Sequence, residues 1–102
     1  TTNAWADTAV ILCTDHGHYL GDVDEKGRDV WGKPSVPVHK PLGHIPLIVA
    51  WPGAAPTSID ALTTSTDIHA TLADVFGATI NHRTHGSSLV PLISGAAKFV
   101  CA

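Results

Sequence analysis

Several features that would place a sequence in a common class are scarce or absent in this chain of 102 residues. It contains no methionine and opens with Thr1-Thr2-Asn3, so we expect it to derive from a longer polypeptide. Charged residues make up 15% of the chain and hydrophobic residues 44%, a balance that argues against intrinsic disorder. The sequence therefore predicts a single domain over residues 1–102, a fragment with more apolar surface to bury than a lone small domain needs.

Long basic and long apolar runs are also missing. Only six residues are Lys or Arg, the formal net charge is −3, and the basic residues do not cluster, so we expect no nucleic-acid partner. The longest apolar run, Ile45–Trp51, contains a proline and is far shorter than the roughly 20 residues of a membrane span. We therefore expect no membrane partner, and the sequence leaves the compartment open.

Cysteine is limited to Cys13 and Cys101, which lie too far apart for a zinc knuckle or a redox pair. Because Cys13 falls inside an apolar run, we expect it to be a small buried residue. A disulfide to Cys101 is the alternative.

Two apolar segments predict β-strands. Thr8–Thr14 lacks strict alternation, which is typical of a strand buried on both faces of a parallel sheet, and Ile45–Trp51 is expected to be the neighbouring strand. Pro46 is tolerated there only near the start of its strand. Between them, Asp15–His44 is rich in Gly, Pro, His and charge, and this composition predicts a long functional loop.

The second half of the chain predicts helices. Apolar residues recur there at helical spacing, Thr66 can cap the start and Gly77 the end; the apolar positions are Ile68, Leu72, Val75 and Phe76. Asp67 and Asp74 lie off this face, so we expect them in solvent. Ser87–Gly95 predicts a short helical turn. The predicted fold class is thus α/β, with a small, mostly parallel sheet, a long active-site loop and a C-terminal helix.

A carboxylate and an imidazole follow the first predicted strand in Thr14-Asp15-His16-Gly17. Ligands of open α/β sheets bind beyond the carboxyl ends of the strands, and Gly17 permits a sharp turn there. Asp15 and His16 together suit calcium, manganese, zinc or iron, although at least two further ligands are needed. The alternative is a turn or helix-cap residue beside a surface histidine.

A lysine in Trp31-Gly32-Lys33-Pro34 is the second candidate. A glycine beside Lys33 lets a compact ammonium group come close to an anionic oxygen. The alternative is an exposed lysine in a turn, and composition alone favours that interpretation for Lys33, Lys40 and His44.

Four groups of residues combine into a wider pattern. In chain order they are Thr8–Gly17, Trp31–Pro34, Ile45–Gly53, and Ser65–Leu72 with His85–Leu92. In order and spacing they resemble the sulfatases of the alkaline phosphatase superfamily over nearly the whole chain.

This resemblance implies a partial alkaline-phosphatase-like domain and a metal-dependent hydrolase of sulfate esters. Asp15 and His16 are similar to one pair of the family's metal ligands, and Lys33 to its catalytic lysine, which binds the anionic oxygens of the ester. His44 stands where many relatives carry arginine, which suggests a substrate contact. The implied cofactor is a divalent metal, calcium first, with manganese or zinc as alternatives. The family's nucleophile is formylglycine, an oxidised cysteine or serine.

Two parts of the family pattern are missing from these residues: the Cys/Ser-x-Pro-x-Arg nucleophile motif and the aspartate pair that completes the metal shell. We therefore expect the parent protein to be the enzyme and this chain alone to be inactive. The expected partners are a small-molecule sulfate ester and either the remainder of the parent domain or a second copy. The alternatives are a phosphonate or phosphate diester hydrolase of the same superfamily and a non-catalytic associating fragment.

Overall fold

The computed structural model describes residues 4–33 and 38–96. They fall into two compact units, Val10–Val49 and the segments on either side of it. A short 3-10 helix, Ala4–Asp7, precedes the other elements, which in chain order are β1 (Val10–Cys13), β2 (Tyr19–Val23), β3 (Asp29–Gly32), α1 (Lys40–Gly43), β4 (Leu47–Ala50), α2 (Ser65–Val75) and α3 (Val90–Ile93). Across the described ranges, no helix is long and apolar enough to cross a bilayer.

Both predicted apolar strands are present, and β1 pairs with β4 in a two-stranded sheet. The expected burial of β1 on both faces is wrong, because Leu12 is 54% exposed; Ile48 of β4 is likewise 63% exposed. Cys13, expected to be buried, is an exposed free thiol, and Cys101 lies outside the described residues. The physical reason is that too few of the described residues pack against this sheet to bury Leu12 and Ile48.

The predicted long loop between β1 and β4 is instead largely ordered into a hairpin and a helical turn. β2 and β3 pair antiparallel, so the expectation of a mostly parallel sheet is not supported. The register shifts between Leu20 and Asp22, where Gly21 forms a bulge at φ +96°. A Cβ at this position would lie 2.9 Å from the Trp31 ring, so glycine is required both by the backbone angle and by the space.

The turn of this hairpin is closed by one carboxylate. Asp24 Oδ1 accepts hydrogen bonds from the backbone N–H groups of Lys26 and Arg28, at 2.8 and 2.9 Å. Its Oδ2 accepts two more from the Arg28 guanidinium, at 2.8 and 2.7 Å. These bonds, those of the guanidinium foremost, lower the pKa of Asp24. Asp24 therefore stabilises the turn of the hairpin.

Helix α2 confirms the helical prediction and its glycine stop, although it begins two residues earlier than expected. Thr64 is the N-cap, and its backbone N–H donates to Asp67 Oδ2 at 2.6 Å. At the other end, Gly77 has φ +60° and donates to the Asp74 carbonyl, while Ala78 donates to that of Ala73. This pair of bonds is a Schellman motif.

The buried face of α2 is not the predicted apolar one. Leu72, Val75 and Phe76 are 45%, 44% and 79% exposed, whereas Asp67 and Thr71 are 5% and 0% exposed. The reason is that the Ser87–Leu89 segment reaches this other face through polar contacts.

Those contacts are specific hydrogen bonds. Asp67 Oδ1 accepts from the N–H of Ser87 at 2.8 Å, which corrects the expectation that Asp67 faces solvent. Asp74 is exposed as expected, but its Oδ2 accepts from the Ser88 hydroxyl at 2.5 Å. Thr71 Oγ1 donates to the carbonyl of Asp67 at 2.6 Å and accepts from the N–H of Leu89 at 2.9 Å.

Replacing Thr71 with Val should lower the free energy of unfolding by about 1–3 kcal/mol, because the buried N–H of Leu89 would lose its acceptor. Thr71→Ser is the matched control, since it keeps the hydroxyl. Urea denaturation followed by circular dichroism measures both variants. Equal stability of Thr71→Val and the wild type would contradict the assignment.

Candidate active site

The first two candidate residues lie just after β1 and point to the same side of the chain. Asp15 Oδ1 accepts from the backbone N–H of His16 at 2.9 Å, and Oδ2 lies 3.4 Å from His16 Nε2. Their side chains are 85% and 35% exposed. The two groups are thus adjacent and open to a ligand, and are not buried in an apolar interior.

Lys33 joins this pair from the end of β3. Gly32, the last residue of that strand, has φ +82°, a conformation that favours glycine. Lys33 Nζ lies 2.9 Å from His16 Nε2. The hairpin therefore brings Lys33 to the Asp15–His16 pair, although Lys33 lies 17 positions after His16 in the chain. Pro34 of the same motif lies outside the described residues.

The contacts of His16 Nε2 define what this atom can do. An ammonium group can only donate, so His16 Nε2 accepts from Lys33 through its lone pair. Asp15 Oδ2 is a second acceptor 3.4 Å from Nε2, and in this structure the Lys33 ammonium is the cation next to Nε2. A 3.4 Å separation is compatible with binding to one divalent metal, whose bonds to such ligands are about 2.0–2.6 Å long.

The donor set is incomplete. Within residues 4–33 and 38–96, no group of three or more His, Cys, Asp or Glu side chains could hold a metal. Asp15 and His16 therefore have the chemistry of two possible ligands of a divalent metal, and the described residues offer no third ligand beside them.

His44, the predicted substrate contact, is not brought into this group. It is exposed and follows α1, where its backbone N–H donates to the carbonyl of Lys40 at 2.9 Å. In the described part of the chain, no hydrogen bond joins its ring to Asp15, His16 or Lys33. The interpretation of His44 as a turn residue agrees with this position, and a substrate contact there stays a prediction.

A cleft of about 610 Å³ lies against the β2–β3 hairpin and its turn. Its lining includes Tyr19, Asp24, Arg28, His39 and Pro41, but none of the three grouped residues. Its most polar pair, Asp24 and Arg28, is already satisfied internally. The cleft is therefore separate from the candidate site.

Sequence reasoning missed how Gly17 is used. Its N–H donates to the carbonyl of Leu42 at 2.9 Å, and a Cβ at this position would overlap the carbonyl oxygen of Pro41. Gly17 is not among the glycines with positive φ, so glycine is needed here for the close approach of another backbone and not for a special backbone angle. The partner of that glycine, a helical turn 25 positions later, has no local signal.

Comparison with known proteins adds an independent finding. The sequence model of the family described as Sulfatase matches residues 1–78. A choline-sulfatase of Rhizobium meliloti (strain 1021) is 35% identical over 92 residues, which is 87% of this chain and 17% of the relative. The chain thus spans about one sixth of the length of that relative. No solved structure matches the present chain.

Proposed function

This chain belongs to the sulfatase family, and from that membership we propose that it supplies part of the metal and anion site of an enzyme that hydrolyses sulfate esters. The observation that supports the proposal is the convergence of Asp15 Oδ2, His16 Nε2 and Lys33 Nζ. Two lone-pair donors and one ammonium group at the end of a strand suit a cation and an anion bound side by side.

Each residue has a distinct role in this proposal. Asp15 and His16 would hold a divalent metal, calcium first and manganese or zinc as alternatives, which when bound would neutralise negative charge on the ester oxygens. Lys33 would hold the anionic oxygens by its fixed positive charge and stabilise the additional charge that develops on them in the transition state. The formylglycine nucleophile expected for the family has no motif in these 102 residues, so we assign it to none of them.

The proposed substrate is a small-molecule sulfate ester, because the relative from Rhizobium meliloti is named a choline-sulfatase. Lys33, Asp15 and His16 would serve a phosphonate or phosphate diester equally well, so the reacting element needs its own test. In a sulfatase-length polypeptide that contains this sequence, kcat/KM on an aryl sulfate should exceed that on the matching aryl phosphonate. The reverse order of rates would favour the phosphonate alternative.

The exposed apolar side chains favour a second polypeptide surface as partner. Leu12 and Ile48 on the β1–β4 sheet are exposed, as is Phe76 beside α2, and such surface is normally covered. Because the chain spans 17% of the choline-sulfatase it matches, we propose that further polypeptide of a sulfatase-type domain covers these side chains.

Light scattering and binding of an apolar dye test this coverage. The 102-residue chain should bind the dye, and a sulfatase-length polypeptide should bind much less per molecule. A chain that is monomeric and binds no dye would contradict the proposal. A defined dimer of the chain that excludes the dye would favour self-association instead.

A further inference from the structure

The imidazole of His16 is held by contacts on both ring nitrogens. Nδ1 lies 2.6 Å from the carbonyl oxygen of Gly17. A carbonyl oxygen only accepts, so Nδ1 must carry the ring proton in this contact. On the other side, Nε2 lies 2.9 Å from the ammonium of Lys33, which only donates. Both contacts require the same neutral tautomer, with the proton on Nδ1 and a lone pair on Nε2.

The carbonyl that selects this tautomer belongs to a fixed residue. The N–H of Gly17 donates to the carbonyl of Leu42 at 2.9 Å, and Leu42 is a buried residue of α1, 7% exposed. A Cβ on residue 17 would overlap the Pro41 carbonyl oxygen, which belongs to the backbone of α1 and cannot rotate away as a side chain could. Only glycine therefore allows this close approach between the Asp-His loop and α1.

We propose that Gly17 is a positioning residue of the metal site. Its carbonyl, held in place by α1, keeps the proton on His16 Nδ1, and this leaves Nε2 as the nitrogen that faces Asp15 and Lys33. A ring nitrogen that donates to a backbone carbonyl fixes the orientation of a metal-binding histidine and the identity of its ligating atom. Only the reference to a metal rests on the proposed function. The tautomer itself is defined by contacts within the protein.

Nitrogen-15 NMR of the His16 ring, in the full chain and at a pH where the ring is neutral, tests the inference without activity. In the wild type we expect one tautomer, protonated on Nδ1. In Gly17→Ala we expect loss of this single tautomer and a mixture of both forms. The matched control is Gly43→Ala in α1, where a Cβ would meet only Val38 Cγ1 at 3.4 Å, and it should keep the wild-type spectrum.

A second variant keeps the test decisive if Gly17→Ala does not fold. Lys33→Met removes the contact at Nε2 but leaves the Gly17 carbonyl in place, so the proton should stay on Nδ1. A wild-type ring protonated on Nε2 would overturn the inference. So would a Lys33→Met variant that loses the Nδ1 tautomer, or a folded Gly17→Ala that retains it unmixed.

Added Mn²⁺ separates this inference from the proposed function. In a sulfatase-length polypeptide that contains this sequence, where further ligands can complete the shell, paramagnetic broadening of the His16 ring protons is expected in the wild type and should be weaker in Gly17→Ala. Absence of broadening in a wild type that shows the Nδ1 tautomer would contradict the metal site and leave the positioning role of Gly17 supported.

Discussion

Asp15→Asn is expected to reduce sulfate ester hydrolysis by about 10³-fold or more, which corresponds to about 4 kcal/mol of transition-state stabilisation. The substitution keeps the size of the side chain and an oxygen that can still accept from the N–H of His16, so the loop should retain its shape. It removes the negative charge that would face the metal. The expected loss therefore reports on the cation and not on the fold.

The activity is measured in a sulfatase-length polypeptide that contains this sequence, with the metal concentration varied. Partial recovery at high metal is expected, because a weakened ligand lowers affinity before it lowers the intrinsic rate. Asp60→Asn is the matched control, since Asp60 is an exposed aspartate in the other compact unit. Full activity of Asp15→Asn at low metal would end its assignment as a ligand.

Lys33→Ala is expected to lower kcat by about 10²–10³-fold, which is the usual cost of removing one donor to a developing anion, about 2.7–4 kcal/mol. The reason is that the ammonium would lie beside the sulfate oxygens, where charge increases in the transition state. If Lys33 binds ground state and transition state equally, KM rises instead and kcat is preserved. The split between kcat and KM thus distinguishes a catalytic contact from simple attraction of an anion.

One further variant at position 33 separates charge from shape, and a second variant at another lysine is the control. Lys33→Met keeps the length and removes the charge, so it should resemble Lys33→Ala. Lys26→Ala removes an exposed lysine from the hairpin turn, outside the proposed site, and should leave kcat and KM unchanged. A Lys33→Met enzyme with wild-type kcat would refute the assigned role.

Helices α2 and α3 and strands β1 and β4 could be predicted because their signals are local, whereas α1 lies in the segment predicted to be a loop. β1 and β4 follow apolar runs, and the Gly77 stop of α2 lies where the helical spacing ends. The hairpin β2–β3 is not predicted, although β-branched and aromatic residues flank a turn from Asp24 to Gly27, because the Gly, Pro and charge content of the whole stretch is typical of a loop.

Burial could not be predicted in the same way. Leu72 and Phe76 have the spacing of a core face, yet the buried residues of α2 are Asp67, Ala70 and Thr71. Hydrophobic spacing identifies the face that prefers to be covered, but the path of the following chain decides which face is covered by the residues present. Here the Ser87–Leu89 segment satisfies polar groups on the opposite side.

By itself, the sequence determined the chemistry that is available: an Asp-His pair after an apolar strand, a lysine after a glycine, and a pattern in register with the sulfatases. Two contacts depend on the tertiary structure: Lys33 reaches His16 Nε2, and Gly17, whose carbonyl contacts the same ring, donates its N–H to α1. The physical reason is that propensity and periodicity act only between residues that are close in the sequence. Contacts between residues 17 or 25 positions apart depend on the hairpin register and on which backbones can approach each other.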